Sequence, residues 1–343
     1  MFLLRECVRL CEKVSAQGTG EGTLRESHDC VRVDGMNTMN HPLSIGIRAP
    51  HQLFENARAL RAFASEVTDR GIDRLCVGDH VTFRGGAGFD GLMQSSMLAA
   101  LTDLEIQTAV YLLPLRHPVP VTRQAIALAQ IAPGRFVFGV GVGGDDPEEV
   151  KACGVDPSTR GRRMDESLTV IRQLLAGKTL THHGDFFDLD EVCMAPTPLP
   201  AIPIVIGGRA DAALRRAGRL GDGYLAVWVS PERFAAATAS VAQYATEAGR
   251  ENVAWRHGLQ VWCGFDSDKS KARAMLGAAM EDLYRIPFEK FEKWSPYGTP
   301  AEVAAFLAPY LEHGCGDINI IPVADSPRAA TDAVAEVAAL LRA

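Results

Sequence analysis

The sequence predicts an α/β fold, specifically a (β/α)8 TIM barrel with rim insertion segments. Apolar runs of strand length begin near residues 43, 73, 106 and 135, about 30 residues apart, which is the length of one strand-helix unit. The alternation persists until eight strand candidates have passed, each followed by a segment of helical character. The chain of 343 residues accommodates one such barrel plus insertions. A doubly wound sheet uses the same alternation but more often stops at roughly five to seven strands.

The first strand is LSIGIRAP from Leu43, and its helix carries Leu53, Ala57, Leu60, Ala64 and Val67 on one face before Gly71 stops it. Strand two runs from Arg74 to His80, strand three starts at Ile106, and strand four, RFVFGVGVGG, starts at Arg135. A helix with Met164, Leu168, Ile171 and Leu175 in register ends at Gly177. The proline-bearing segment from Lys178 to Pro200 breaks the rhythm and reads as a rim insertion. Strand five is Ile202 to Gly208 and strand six Gly223 to Val229, after which Ser230-Pro231 supplies a helix cap and a first-turn proline. Strand seven is His257 to Phe265, followed by a helix and a second insertion from Ile286 to Gly298. Thr299-Pro300-Ala301-Glu302 is a capping box. Strand eight is DINIIPV from Asp317, and the last helix carries Ala330, Val334, Val337 and Leu341 on one stripe.

Composition removes several function classes. Lys and Arg number 35 against 42 Asp and Glu, a net charge of −7, so no basic field recruits nucleic acid or an anionic membrane. The eight cysteines are scattered without a CxxC pair and read as reduced thiols. No run approaches the ~20 apolar residues of a membrane span, and Phe2-Leu3-Leu4 meets Arg5 and Glu6 before a signal-peptide core builds up, so a cytoplasmic location is expected. Residues 1–40 read as a loosely ordered arm ahead of a single barrel domain over 41–343, with Met36 or Met39 as an expected native start. Cys7, Cys11, His28 and Cys30 fall in that arm at spacings that make a poor zinc set.

On a barrel the chemistry belongs at the C-terminal ends of the strands. Asp79-His80 ends strand two, and a histidine beside a carboxylate there is a candidate acid or base. His51 and Trp228 reach the same rim, and His182-His183 lies in the insertion. Gly139, Gly141 and Gly144 formally match G-x-G-x-x-G, but the acids Asp145, Asp146, Glu148 and Glu149 stand where a dinucleotide-binding helix would offer its N-terminus to a pyrophosphate. Those glycines either let a flat ring approach the strand or turn a tight barrel corner. Gly207-Gly208-Arg209 before a helix offers backbone amides to an anion, unless Asp211 serves that end itself. No metal-binding motif appears.

Taken together, the DH that ends strand two, YLLPLRHPVPVTRQAIALAQIAPGRFVFGVGVGG from Tyr111, RGRRMDESLTVIRQLLAG from Arg160 and GGRADAALRRAGRLGDGYL from Gly207 resemble the bacterial luciferase-like superfamily of flavin- and deazaflavin-dependent oxidoreductases. The resemblance covers Leu43 to the C-terminus. It implies a flavin-type ring at the C-terminal mouth, against Gly141, Val142 and Gly143 and a non-proline cis peptide expected at Leu112-Leu113, with the cofactor phosphate at Gly207, Gly208 and Arg209. It also implies His80 as the proton donor or acceptor. Asp79 and Glu148 are the carboxylates assigned to the catalytic set with it, and Glu148 or Glu149 stands in for the residue that lines the ring edge in the family.

The expected activity is hydride transfer to, or monooxygenation of, a small organic substrate with coenzyme F420 or FMN. A flavin reductase is an expected partner in the FMN case, and a homodimer is expected in either. The alternatives are a cofactor-free isomerase or lyase and a non-catalytic flavin-binding sensor. The acidic run from Asp145 to Glu149 favours a neutral or cationic substrate over an anion.

Overall fold

The computed structural model describes residues 42–143 and 146–343. The N-terminal arm with its expected start site and cysteines, and the pair Gly144-Asp145, lie outside the described residues.

The strands are β1 (Ser44–Arg48), β2 (Arg74–Val77), β3 (His80–Phe83), β4 (Ala87–Phe89), β5 (Glu105–Thr108), β6 (Tyr111–Leu112), β7 (Phe136–Gly141), β8 (Leu180–His183), β9 (Asp188–Val192), β10 (Ile204–Gly207), β11 (Gly223–Val227), β12 (Gly258–Phe265), β13 (Tyr297–Gly298) and β14 (Asp317–Val323). Eight of them pair in parallel in the order β1, β2, β5, β7, β10, β11, β12, β14, and β14 pairs back to β1. The ring is a closed (β/α)8 barrel, so no barrel edge is left open.

The helices are α1 (Ala57–Asp69), α2 (Gly91–Ala99), α3 (Pro118–Ile131), α4 (Pro147–Ala152), α5 (Arg160–Leu175), α6 (Asp211–Leu220), α7 (Pro231–Glu247), α8 (Lys269–Tyr284), α9 (Pro300–Glu312) and α10 (Pro327–Arg342). Their starts follow local chemistry. Asn56, Asp90, Asp146, Ser230, Asp268 and Ser326 each accept backbone hydrogen bonds in a first turn, and Thr299 with Glu302 closes the anticipated capping box. The buried stripes of α1 (Leu60, Phe63, Ala64, Val67) and α10 (Ala333, Val334, Val337) pack against the sheet in one continuous core.

The excursions gather on the rim. The predicted second strand divides: β2 stops at Val77, and His80 instead opens an antiparallel hairpin with β4. Gly85 and Gly86 turn that hairpin with positive φ. The insertion from Lys178 to Pro200 contains the β8–β9 hairpin, and the stretch from Ile286 to Gly298 contains two 3-10 turns and β13.

The N-terminal floor of the barrel is an ionic plug. Arg74 is fully buried and binds Asp317, Glu105, Ser44 and Asn319, while Arg256 pairs with Glu105 at 2.7 Å and with Asp317 at 3.2 Å. Above it, Asn319 donates to Gln107 at 3.0 Å. The floor is consumed by its own partners, which leaves the opposite mouth as the place for chemistry.

Candidate active site

His80 stands at the mouth because β2 ends one turn short of it. Its Nδ1 lies 3.0 Å from the Glu149 carboxylate, which is almost completely buried on α4. The same carboxylate accepts the amides of Val81 at 2.6 Å and Thr82 at 3.2 Å. A carboxylate can only accept from the imidazole, so Nδ1 carries a proton and Nε2 is the nitrogen left to exchange one. Nε2 has no hydrogen-bond partner among the described residues. Phe83 packs against the ring with centroids 4.2 Å apart, and Phe89 meets it edge-on at 5.8 Å.

Asp79 does different work. It is buried, forms a two-point ion pair with Arg116, and accepts the amides of Gly91 at 3.0 Å and Leu112 at 2.9 Å. Burial pushes its carboxyl above the ordinary value despite Arg116 and the two amides. Asp79 thereby ties the end of β2 to the start of α2 and to β6. It orients the segment that carries His80 and makes no hydrogen bond to the imidazole.

The acidic run is divided in the same way. Asp146 caps α4 and accepts the Arg84 amide at 2.8 Å, latching the hairpin turn. Glu148, expected as a catalytic carboxylate, is exposed and pairs with Lys151 at 2.6 Å. The helical advance of about 100° per residue turns Glu149 inward and Glu148 outward, so the carboxylate on His80 is Glu149. The described acids of the run are held by backbone amides, His80 and Lys151.

The non-proline cis peptide is Ala109-Val110, immediately after β5, rather than Leu112-Leu113. Leu112 and Leu113 are buried, and Leu112 pairs with Gly141 in the β6–β7 ladder. Val110 lies against Gly141 and Gly207. A Cβ on Gly141 would lie 2.5 Å from Val110 Cγ2, and one on Gly207 would lie 2.8 Å from Val110 Cγ1. The two glycines therefore make room for Val110 across the mouth, and Gly143 sits against Leu112. Val142 packs at the margin of the core.

Beyond Gly207 and Gly208, α6 starts at Ala210 without a side-chain cap. Asp211 does not fill that role, because its carboxylate binds Tyr244 at 2.7 Å and Arg215 at 3.2 Å. A cleft of about 720 Å³ opens there, lined by Arg209, Trp228, Ser230, Arg233, Lys293 and Trp294 among others. Arg209 lies over the Trp228 ring at 5.2 Å. Trp228 has a left-handed backbone, φ 51°, and a buried Nε1 without a partner among the described residues. The uncapped helix start and three cations form a donor set suited to an anionic cofactor tail, with an indole wall beside it. The cleft does not include His80; its lining begins at Arg209, the residue after Gly208, and includes Trp228.

Residues 35–312 match the family model described as luciferase-like monooxygenase. The chain belongs to that family. An F420-dependent glucose-6-phosphate dehydrogenase of Kineococcus radiotolerans is 27% identical over 340 residues, 90% of this chain and 99% of the relative. A 4-hydroxyprotoasukamycin monooxygenase of Streptomyces nodosus subsp. asukaensis is 31% identical over 248 residues, 67% of this chain and 63% of the relative. In fold, the chain is similar to an F420-dependent secondary alcohol dehydrogenase bound to an F420-acetone adduct, with a TM-score of 0.76, 21% identity and coverage of 88% of this chain and 100% of the other. As a luciferase-like family member the protein is an oxidoreductase.

His51, a rim residue in the sequence, stacks on Phe89 at 5.7 Å. His182 is held by Glu166 and His183 by Asp188 on the insertion hairpin. Sequence reasoning passed over Arg48 at the end of β1, Val110, and the cations Arg233 and Lys293. The strand-end rule, applied to β1 as it was to β2, would have singled out Arg48.

Proposed function

We propose that this protein is a coenzyme F420-dependent oxidoreductase that moves a hydride between the deazaflavin and a small organic substrate, with His80 handling the accompanying proton. The observation that carries the reading is the His80–Glu149 pair at the barrel mouth, with Nε2 left unengaged. The bound deazaflavin would supply a carbon-centred hydride donor or acceptor. The protein's residues do the rest. Glu149 holds the imidazole in one tautomer, and Nε2 accepts a proton from a substrate hydroxyl or, once protonated, returns one to a carbonyl oxygen. The amides beyond Gly208, with Arg209, Arg233 and Lys293, bind the anionic tail, and Val110 with Gly141 and Gly207 shapes the surface beneath the ring. The F420-dependent relative that aligns along nearly its whole length supports this cofactor.

The Streptomyces relative favours a second reading, a monooxygenase, for which FMN is the cofactor we would expect. Titrating the purified protein with F420 and with FMN, followed by absorbance and fluorescence, separates the two. Tight F420 binding with turnover that His80→Ala abolishes is the expected result. Preferential FMN binding with oxygen consumption transfers the assignment to the monooxygenase, and turnover without either cofactor rejects both.

A further inference from the structure

The barrel mouth contains a cation that the reading above does not use. Arg48 is the last residue of β1, and its guanidinium lies across the end of β2: a Cβ on Gly78 would fall 2.0 Å from Arg48 Nη2, so the glycine leaves the space the arginine fills. The group is half-buried and has no carboxylate partner and no hydrogen bond among the described residues. The Phe89 ring lies 5.7 Å from it, and the Cys76 and Tyr284 side chains act on it electrostatically. Loss of solvent pushes the guanidinium below its ordinary value, and the Cys76 thiol and Tyr284 phenol offset this only in part.

The mouth's described carboxylates are committed elsewhere: Asp79 to Arg116, Glu149 to His80 and two amides, Asp146 to the start of α4 and the Arg84 amide. A desolvated charge without a partner is costly in a folded protein, and it persists where a ligand completes it. Its surroundings indicate the ligand's body. Phe89 lies 5.7 Å from the Arg48 guanidinium and 5.8 Å from the His80 ring, so one phenyl group borders both. On another side Tyr284 accepts from Trp262 Nε1 at 3.2 Å and packs edge-on to Trp228 at 5.1 Å and against Phe291 at 5.3 Å.

We propose that Arg48 is the substrate-recognition residue of this mouth and that the substrate is an organic acid with an aromatic or apolar body, its carboxylate paired with the Arg48 guanidinium beside His80. A bidentate guanidinium-carboxylate pair gives both affinity and a fixed orientation. The inference rests on the oxidoreductase reading for the reaction, while the binding step stands independently of it.

Benzoate and benzamide, equal in shape and different in charge, serve as probes. Their binding to the full chain is measured by calorimetry, with and without F420, for the wild type, Arg48→Met and Arg48→Lys. The expected result is a preference for benzoate of tenfold or more in the wild type, reduced but present in Arg48→Lys, and below twofold in Arg48→Met. The thermal midpoint of Arg48→Met should be unchanged or raised, because removing an uncompensated charge relieves the folded state. Equal or undetectable binding of the two probes by the wild type overturns the proposal, as does a preference that survives in Arg48→Met. An Arg48→Met chain that fails to fold overturns it too, since the arginine is then structural. So does a tenfold loss of F420 affinity in that variant with the probe preference intact, which reassigns Arg48 to the cofactor. Failure of the wild type to bind either F420 or FMN defeats the proposed function but leaves the probe preference readable.

Discussion

At the residue scale, the site turns on which of two adjacent glutamates faces inward. Glu149 is buried against His80, and Glu148 is exposed against Lys151. Glu149→Gln keeps an acceptor but removes the charge that stabilises a protonated imidazole, so turnover should fall by about 10²-fold. Glu148→Gln should leave turnover within about twofold, since a surface pair of this kind contributes little. Steady-state kinetics on the two variants checks both, and equal losses would refute the assignment. The acidic run and the Asp-His dipeptide were legible in the sequence; the partner of His80 was not. Their separation of 69 residues along the chain gives no local pattern, and only the docking of α4 on β3, through Glu149 and the amides of Val81 and Thr82, brings them together.

At the scale of elements, β5 and β7 meet with almost no space between them. A Cβ on Gly139 would lie 1.9 Å from the Thr108 carbonyl oxygen, whereas one on Gly141 meets only the Val110 side chain. Gly139→Ala should destabilise the barrel by about 3 kcal/mol or more, because backbone must move. Gly141→Ala should leave the thermal midpoint higher than Gly139→Ala does and weaken cofactor binding instead. The start of α9 gives a milder case: Thr299→Ala removes a capping box and should cost about 1 kcal/mol in denaturant unfolding. That cap and the helix stripes were readable from the chain, since capping and periodicity are local. The split of the second strand at Val77 was not, because the hairpin it makes room for is held by Asp146 and Glu149, which lie about 65 residues away along the chain.

For the molecule as a whole, the two ends of the barrel are built to opposite rules. On the floor, Arg74 and Arg256 face Asp317 and Glu105, and each charge has a partner. Asp317→Asn leaves a buried arginine underpaired and should cost about 3–5 kcal/mol. Acid acts near the same floor through His257. Desolvation lowers its value from 6.5 to about 4, against the weaker pull of Asp317, and its Nδ1 accepts the Tyr224 amide at 3.2 Å. The unfolded chain binds this proton from about pH 6.5 while the folded chain resists it, so stability is complete above that value and declines as pH falls towards about 4, by at most about 3 kcal/mol. Burial would raise Glu105, but Arg74 and Arg256 outweigh it and hold it low, extending the loss to more acid conditions. Unfolding curves from pH 7 to 4 check the slope, and His257→Gln should flatten it.

The sequence by itself determined the barrel, the order of its strands and helices, the family resemblance and the mouth as the place for chemistry. All of these follow from periodicity, capping and short motifs, which are local properties of a chain. Only the tertiary structure decided that Glu149 and not Glu148 holds His80, that the cis peptide precedes Val110, and that Arg48 stands at the mouth without a carboxylate partner among the described residues. Those outcomes depend on which side chains converge from distant strands, and on whether water or a partner compensates each charge once they have.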